Sequence, residues 1–396
     1  MNVIVGGPLG TILFCIAISV TPPKAVLAEV ITFDMPPSGF TPVAVGGVAV
    51  DNKGNAIVTW TGGTGAHAVN ALLAKPILSK LSIVTKPVKI PTVVGNQPGW
   101  RANVGMDSSG AWVISWVEYA HDLPVAIIAR RYDQTGKPVR AAEVISQLKP
   151  DMRDSRQADV AVVRDGRSVV VWNDLADQNS RLAIYARRLD SSGASVGSTI
   201  RVSPPIPEAE SDSVVGSEEP RVAVDTKGGF VVVWIGRLGT SNPYGIYVQR
   251  FMSDGTPLGK WQVANKGSGL PGSPDVAVGT DGRFVVVWDE AINKNIWARP
   301  FNADGTPAAE PFAVVVGHRP VVAMGADGLF VVVGTWGFAT AGSSQLGGDL
   351  FKFPKEPVDS IAITPQSTNE TLECRNGSAW DLGSGLARCR WQRKEG

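Results

Sequence analysis

Several common kinds of chemistry have little to work with in this chain. Its 396 residues hold three histidines, His67, His121 and His318, far apart and with no nucleophile motif beside any of them. Neither a Ser-His-Asp arrangement nor a cluster with metal-ligand spacing is spelled out, and no cofactor is implied. Charge is sparse and balanced, with 37 basic residues against 36 acidic ones and a net charge of +1. That excludes the strong positive field of a nucleic-acid or anionic-membrane binder. Glycine-rich phosphate loops and basic-aromatic patches are missing too. The apolar run near the N-terminus, Ile12 to Val20, is too short to span a bilayer. Beyond it no helical periodicity of useful length occurs.

What that first stretch does suit is export. Behind the apolar run come Pro22 and Pro23 and then Val26-Leu27-Ala28, with small residues where a signal peptidase needs them. The flank before the run departs from type, because residues 2 to 11 contain no Lys or Arg. Residues 1–28 are therefore expected to be a signal peptide, and the mature chain to be secreted, periplasmic or on the cell surface, without a membrane span. Cysteine is scarce as well. After removal of the signal and its Cys15, only Cys374 and Cys389 remain, in a tail of residues 366–396. An even count in an exported chain predicts a disulfide between them.

What the chain has in abundance is one phrase of twelve residues, met six times. The copies are AVDNKGNAIVTW (ending at Trp60), GMDSSGAWVISW (Trp116), AVVRDGRSVVVW (Trp172), AVDTKGGFVVVW (Trp234), AVGTDGRFVVVW (Trp288) and AMGADGLFVVVG (Gly334). Each reads as strand, tight turn, strand. Asp hydrogen-bonds its own backbone in such a turn, and Gly accepts a positive φ. The second strand is apolar at consecutive positions, which predicts a strand covered on both faces. A second phrase follows in most units, as in IYARRLDSSGASV from Ile184 and IYVQRFMSDGTPL from Ile246, and it too reads strand, turn, strand. Four strands per unit, repeated, predict an all-β fold: a six-bladed β-propeller of four-stranded antiparallel blades over residues 29–365, with the repeats from about 42. Val30 to Phe33 or Ser360 to Thr364 would supply the outer strand of the sixth blade; in a seven-bladed alternative the N-terminal strand and the tail, where Trp380-Asp381 and Leu386-Ala387-Arg388 echo the phrases, form the last blade.

Most of the polar repeats read as structure. Turn aspartates followed by glycine offer one carboxylate each, too few for a calcium loop. The recurring arginines Arg130, Arg131, Arg187, Arg188, Arg250 and Arg299 suit bonds to carbonyls or carboxylates of a neighbouring blade. Function is expected where the repetition stops, on the face that carries the loops between the second and third strands and between blades. The ligand-face candidates there are Tyr119, His121, Asp122, Asp177 and Glu290. Glu118, Asp174 and Asp289 each follow a blade tryptophan by one or two residues, and are the candidate catalytic carboxylates if the mouth of the channel is a glycosidase site.

The paired phrases resemble the tandem repeats DGxFVVVW…IYARRFDxDGTPxG of secreted and surface proteins of bacteria, most closely in the third to fifth units. The resemblance implies a propeller-like fold, an extracellular or periplasmic location and a binding or scaffold role, and it supplies no catalytic residues. The expected function is accordingly an exported, non-enzymatic propeller that binds a protein or carbohydrate partner through its loop face. Two alternatives stand beside it: a glycan-processing, glycosidase-like enzyme, and a structural envelope scaffold.

Overall fold

A computed structural model describes residues 102–354 apart from residue 122 and the segments 149–155, 177–181, 206–216, 238–243, 267–268, 326–327 and 337–344. Outside that span it describes mainly strands: 13–17, 28–32, 42–62 without 52–54, most of 69–98, 356–357, 370–376 and 387–393. Every regular element among these residues is a β-strand.

The strands assemble into six successive antiparallel sheets in chain order. The third is the simplest to follow. Ala158–Val162 pairs with Ser168–Leu175, that strand with Leu182–Leu189, and that in turn with Ser195–Arg201. The fourth, fifth and sixth sheets repeat this order, beginning with Ser217–Val224, Pro271–Val278 and His318–Met324. In the second sheet the first strand is split into Gln97–Pro98 and Asn103–Met106, both paired with Trp112–Ala120. In the first the outer strand is split, as Lys80–Ile83 and Val88–Ile90. The first strands of consecutive sheets stand next to one another, so they form one row along a shared side of the stack.

The repeated phrase is the hairpin of the first two strands. In the fourth sheet Asp225 accepts hydrogen bonds from the Lys227 and Gly229 amides, at 2.7 and 2.9 Å. Gly228 takes the left-handed conformation the turn demands, at φ 90°. The run Phe230–Gly236 that follows is buried at every position, as its unbroken apolar sequence predicts. Among the described residues five apolar clusters fill the spaces between sheets, each mixing second-strand residues of neighbours: Val169 and Val171 with Val232 and Trp234, then Val231 and Val233 with Val286 and Trp288. Each such side chain, fully enclosed, contributes about 1.5–3 kcal/mol. Trp116, Trp172, Trp234 and Trp288 are all buried to 1% exposure or less. Trp172 and Trp234 stack on the cross-strand Tyr185 and Tyr247 at 5.9 and 5.7 Å.

The repeated arginines tie sheet to sheet. Arg131 donates to the Gly166 carbonyl of the third sheet at 2.9 Å and pairs with Asp107, while Arg188 donates to the Ser253 carbonyl of the fourth at 3.0 Å. Arg299 reaches back to the Val263 and Ala264 carbonyls, both at 3.1 Å. The ends of the chain pair among themselves. Leu13–Ala17, inside the expected signal segment, pairs with Ala28–Thr32, and Glu370–Asn376 pairs with Ala387–Arg393 in a register that sets Cys374 opposite Cys389. Ser360 to Thr364 and Trp380-Asp381 lie outside the described residues.

Candidate functional site

The three carboxylates singled out from the sequence sit where expected along their strands, at the loop ends of the second strands, and each is held by structure. Glu118 is wholly enclosed. Its carboxylate accepts from the Val93, Val94 and Gly95 amides at 2.8, 2.7 and 2.8 Å and from the Trp116 indole at 3.0 Å. Asp174 accepts from the Leu175 amide at 2.7 Å and lies 3.4 Å from the buried Arg156 guanidinium. Asp289 accepts from the Arg319 amide of the next sheet at 2.8 Å, with His318 Nδ1 at 3.8 Å. Among the ligand-face candidates, Tyr119 and Glu290 are buried, at 8% and 5% exposure, while His121 is exposed and left-handed at φ 51°. Asp122 and Asp177 lie outside the described residues.

A different set of charges is drawn together on the first strands. Two residues ahead of each phrase stand Gly47, Asn103, Asp159, Arg221, Asp275 and Val321, one per sheet. Asp159 and Asp275 are buried, at 5% and 2% exposure, and each crosses to the adjoining first strand. Asp159 accepts from the Val222 amide at 3.0 Å, and Asp275 from the Val322 amide at 2.9 Å. Asn103 makes the corresponding tie as a donor, to the Ala158 carbonyl at 2.6 Å. Arg221 stands on the strand between the two aspartates, and its charge acts on both. Burial pushes both carboxyls above the usual range, against the pull of Arg221. Asp275, which also feels the charge of Asp159, is raised to about 6.

The same strands carry a local irregularity at their loop ends. Glu219, Ser273 and Arg319 are left-handed at φ 50°, 48° and 50°, each beside a register shift in its sheet. A bulge of this kind re-aims the side chains around it and is over-represented near functional sites. Carboxylates fix two of the three: Glu219 accepts from the Ser273 amide at 3.1 Å, and Asp289 holds that of Arg319. The sequence signal for this cluster was present but faint. It is a charged residue inside an otherwise apolar strand, just before the conspicuous phrase.

No protein-family model matches the chain, and no curated protein does. Solved structures do resemble it. One is an alpha-L-arabinanase of Penicillium chrysogenum complexed with arabinobiose, at 12% identity and a TM-score of 0.50, over 75% of this chain and 90% of that one. Another is an alpha-L-arabinofuranosidase of Fusarium graminearum complexed with an iminosugar inhibitor, at 12% identity and 0.52, over 80% and 95%. A protein of unknown function from Dyadobacter fermentans matches at 13% identity and 0.52, over 83% and 98%. At these identities the likeness establishes the fold, a propeller-like all-β architecture. It also corrects the expectation of a non-enzymatic binding module. Two of these three are named as glycosidases, so the glycan-processing alternative is the better supported of the sequence-based expectations. Among the described residues no helix is long and apolar enough to cross a membrane.

Proposed function

We propose that this protein is a glycan-processing enzyme that hydrolyses glycosidic bonds, with arabinose-containing chains the first substrates to try. In this reading the six sheets are the blades of a closed six-bladed propeller, and the row of first strands lines its channel. The observation that carries it is the buried pair Asp159 and Asp275 on the strands either side of Arg221, one of them with a pKa of about 6. Hydrolysis through two carboxyl groups needs one protonated and one ionised at the same pH, and burial, which raises both, lets Asp275 keep its proton up to about 6. Asp275 is assigned as the acid that protonates the leaving oxygen as the glycosidic bond breaks. Asp159, which burial raises and the Arg221 charge pulls back toward ionisation, is assigned to take the proton of the attacking water. These two are preferred to Glu118, Asp174 and Asp289 because one charge, that of Arg221, acts on both of them and the charge of Asp159 reaches Asp275.

We further propose that the protein is exported, as the segment Ile12–Ala28 and the repeat resemblance imply, and that Cys374 and Cys389 are joined. The central test is release of reducing sugar from arabinobiose, linear arabinan and a panel of other glycans. Turnover is expected to fall by about 10²–10⁴ in Asp275→Asn, the usual worth of a general acid. Absence of turnover on every glycan, or an Asp275→Asn variant as active as the native protein, rules the assignment out.

A further inference from the structure

The strand that carries Arg221 begins at a second group of residues, outside the carboxylate pair. Tyr244 immediately precedes the strand Gly245–Phe251 and is 44% exposed. Its phenol is raised by burial and by the charges of Glu218 and Glu219, so both carboxylates lie within electrostatic reach of the ring. Glu219 is committed to the Ser273 amide, whereas Glu218 is exposed. Ser217 pairs with Gly236, which pairs in turn with Gly245, so Ser217 ends the rung beside which Tyr244 stands. The Ser217 hydroxyl is buried, with no hydrogen-bond partner among the described residues. On the fifth sheet, whose first strand Glu219 bonds at Ser273, Leu270 precedes Pro271–Val278 and Ile292 follows Phe284–Glu290; they are 54% and 63% exposed and joined by a bond from the Ala291 amide to the Leu270 carbonyl at 3.0 Å.

We infer that this rim between the fourth and fifth sheets is a sugar-binding subsite, in which the ring of Tyr244 stacks on the apolar face of a neutral sugar and Glu218 accepts its hydroxyl protons. An exposed aromatic ring beside hydrogen-bond acceptors, with apolar side chains completing the edge, matches a sugar ring, which is apolar on one face and hydroxylated at its margin. A cationic ligand would use the carboxylates and gain little from Leu270 and Ile292. The subsite adjoins the proposed catalytic pair through one strand, since Glu218, Glu219 and Arg221 are close neighbours in Ser217–Val224. A chain laid over Tyr244 is thereby directed toward Asp159 and Asp275. The inference rests on the glycan-processing reading and deepens it.

The test measures binding of arabinobiose and its longer homologues by calorimetry, on full-length protein carrying Asp275→Asn so that ligand is not consumed. Adding Tyr244→Ala should weaken the Kd of the longer chains about tenfold, roughly 1.4 kcal/mol. Tyr244→Phe should keep it, because the ring remains, and Glu218→Gln should weaken it about threefold. Native protein that turns over arabinan while Tyr244→Ala leaves the longer chains' Kd unchanged overturns the subsite and spares the function. Failure of every glycan both to bind and to be cleaved overturns both. Binding of oligolysine that Glu218→Gln abolishes and Tyr244→Ala does not touch would make the rim a cation site and likewise overturn the inference.

Discussion

The terminal methyl of Ile296 occupies the space that a side chain at Gly334 would need. A β-carbon at Gly334 would lie 2.0 Å from Ile296 Cδ1 and 3.2 Å from the His318 carbonyl oxygen. This explains the one phrase that ends without its tryptophan: the fifth sheet already fills that slot. Gly334→Ala is expected to lose about 1–3 kcal/mol by overpacking. Ile296→Val, which removes the offending methyl, should return part of that loss in the double variant. Additive losses in a urea-unfolding cycle would show that the two positions do not compete.

Glu118 is expected to matter for stability and not for chemistry. Replacing it by Gln turns an amide NH2 toward donors that now bond a carboxylate, and should cost about 1–3 kcal/mol. Turnover per folded molecule should be unchanged. A specific activity lowered a hundredfold in fully folded Glu118→Gln would instead restore Glu118 as a catalytic group.

Asp275 gives stability a definite pH dependence. Its carboxyl is held at about 6 in the folded chain, against an ordinary 3.8. Between those values the folded chain keeps a proton that the unfolded chain has lost, so this group lowers stability progressively as pH rises from about 4 to about 6. Asp190 and Asp304 act in the opposite sense, because hydrogen bonds led by the Ser192 and Thr306 hydroxyls hold them low. Their stabilisation is lost as pH falls through their folded values, and their exposure keeps it small. Asp275→Asn keeps an acceptor for the Val322 amide and removes the buried charge. The variant should therefore match the native protein near pH 4 and exceed it at pH 7, while losing turnover. An equal difference in urea midpoint at both pH values would refute the raised pKa.

The register opposite Cys389 makes Cys374 the natural partner for a cross-strand disulfide. Protein recovered from an oxidising compartment should resist alkylation at both positions until reduced. Cys374→Ser should leave the tail more open to protease, a loss of about 3 kcal/mol or less from that hairpin. Free alkylation of both thiols in unreduced protein would remove the pairing.

The Asp/Gly turns, the Trp row and the unbroken apolar second strands were legible in the sequence because each depends on neighbours within one hairpin. Asp225 with Gly229 is such a case, its bond spanning only four residues. The aspartates of the first strands were not legible, because their partners arrive from the next sheet. Asp159 bonds an amide 63 residues away, and Asp275 one 47 residues away. The enclosure of Glu118 was not legible for a related reason. Its position beside the tryptophan suggested an open mouth, but the loop at Val93–Gly95 folds back to enclose it.

By itself the sequence determined the repeating unit and the strands within it, since turn chemistry and unbroken apolar runs are written in a few consecutive residues. Only the tertiary structure decided which charges share a low-dielectric space. It is the side-by-side packing of the first strands that brings Asp159, Arg221 and Asp275 under one another's fields and lifts Asp275 to about 6.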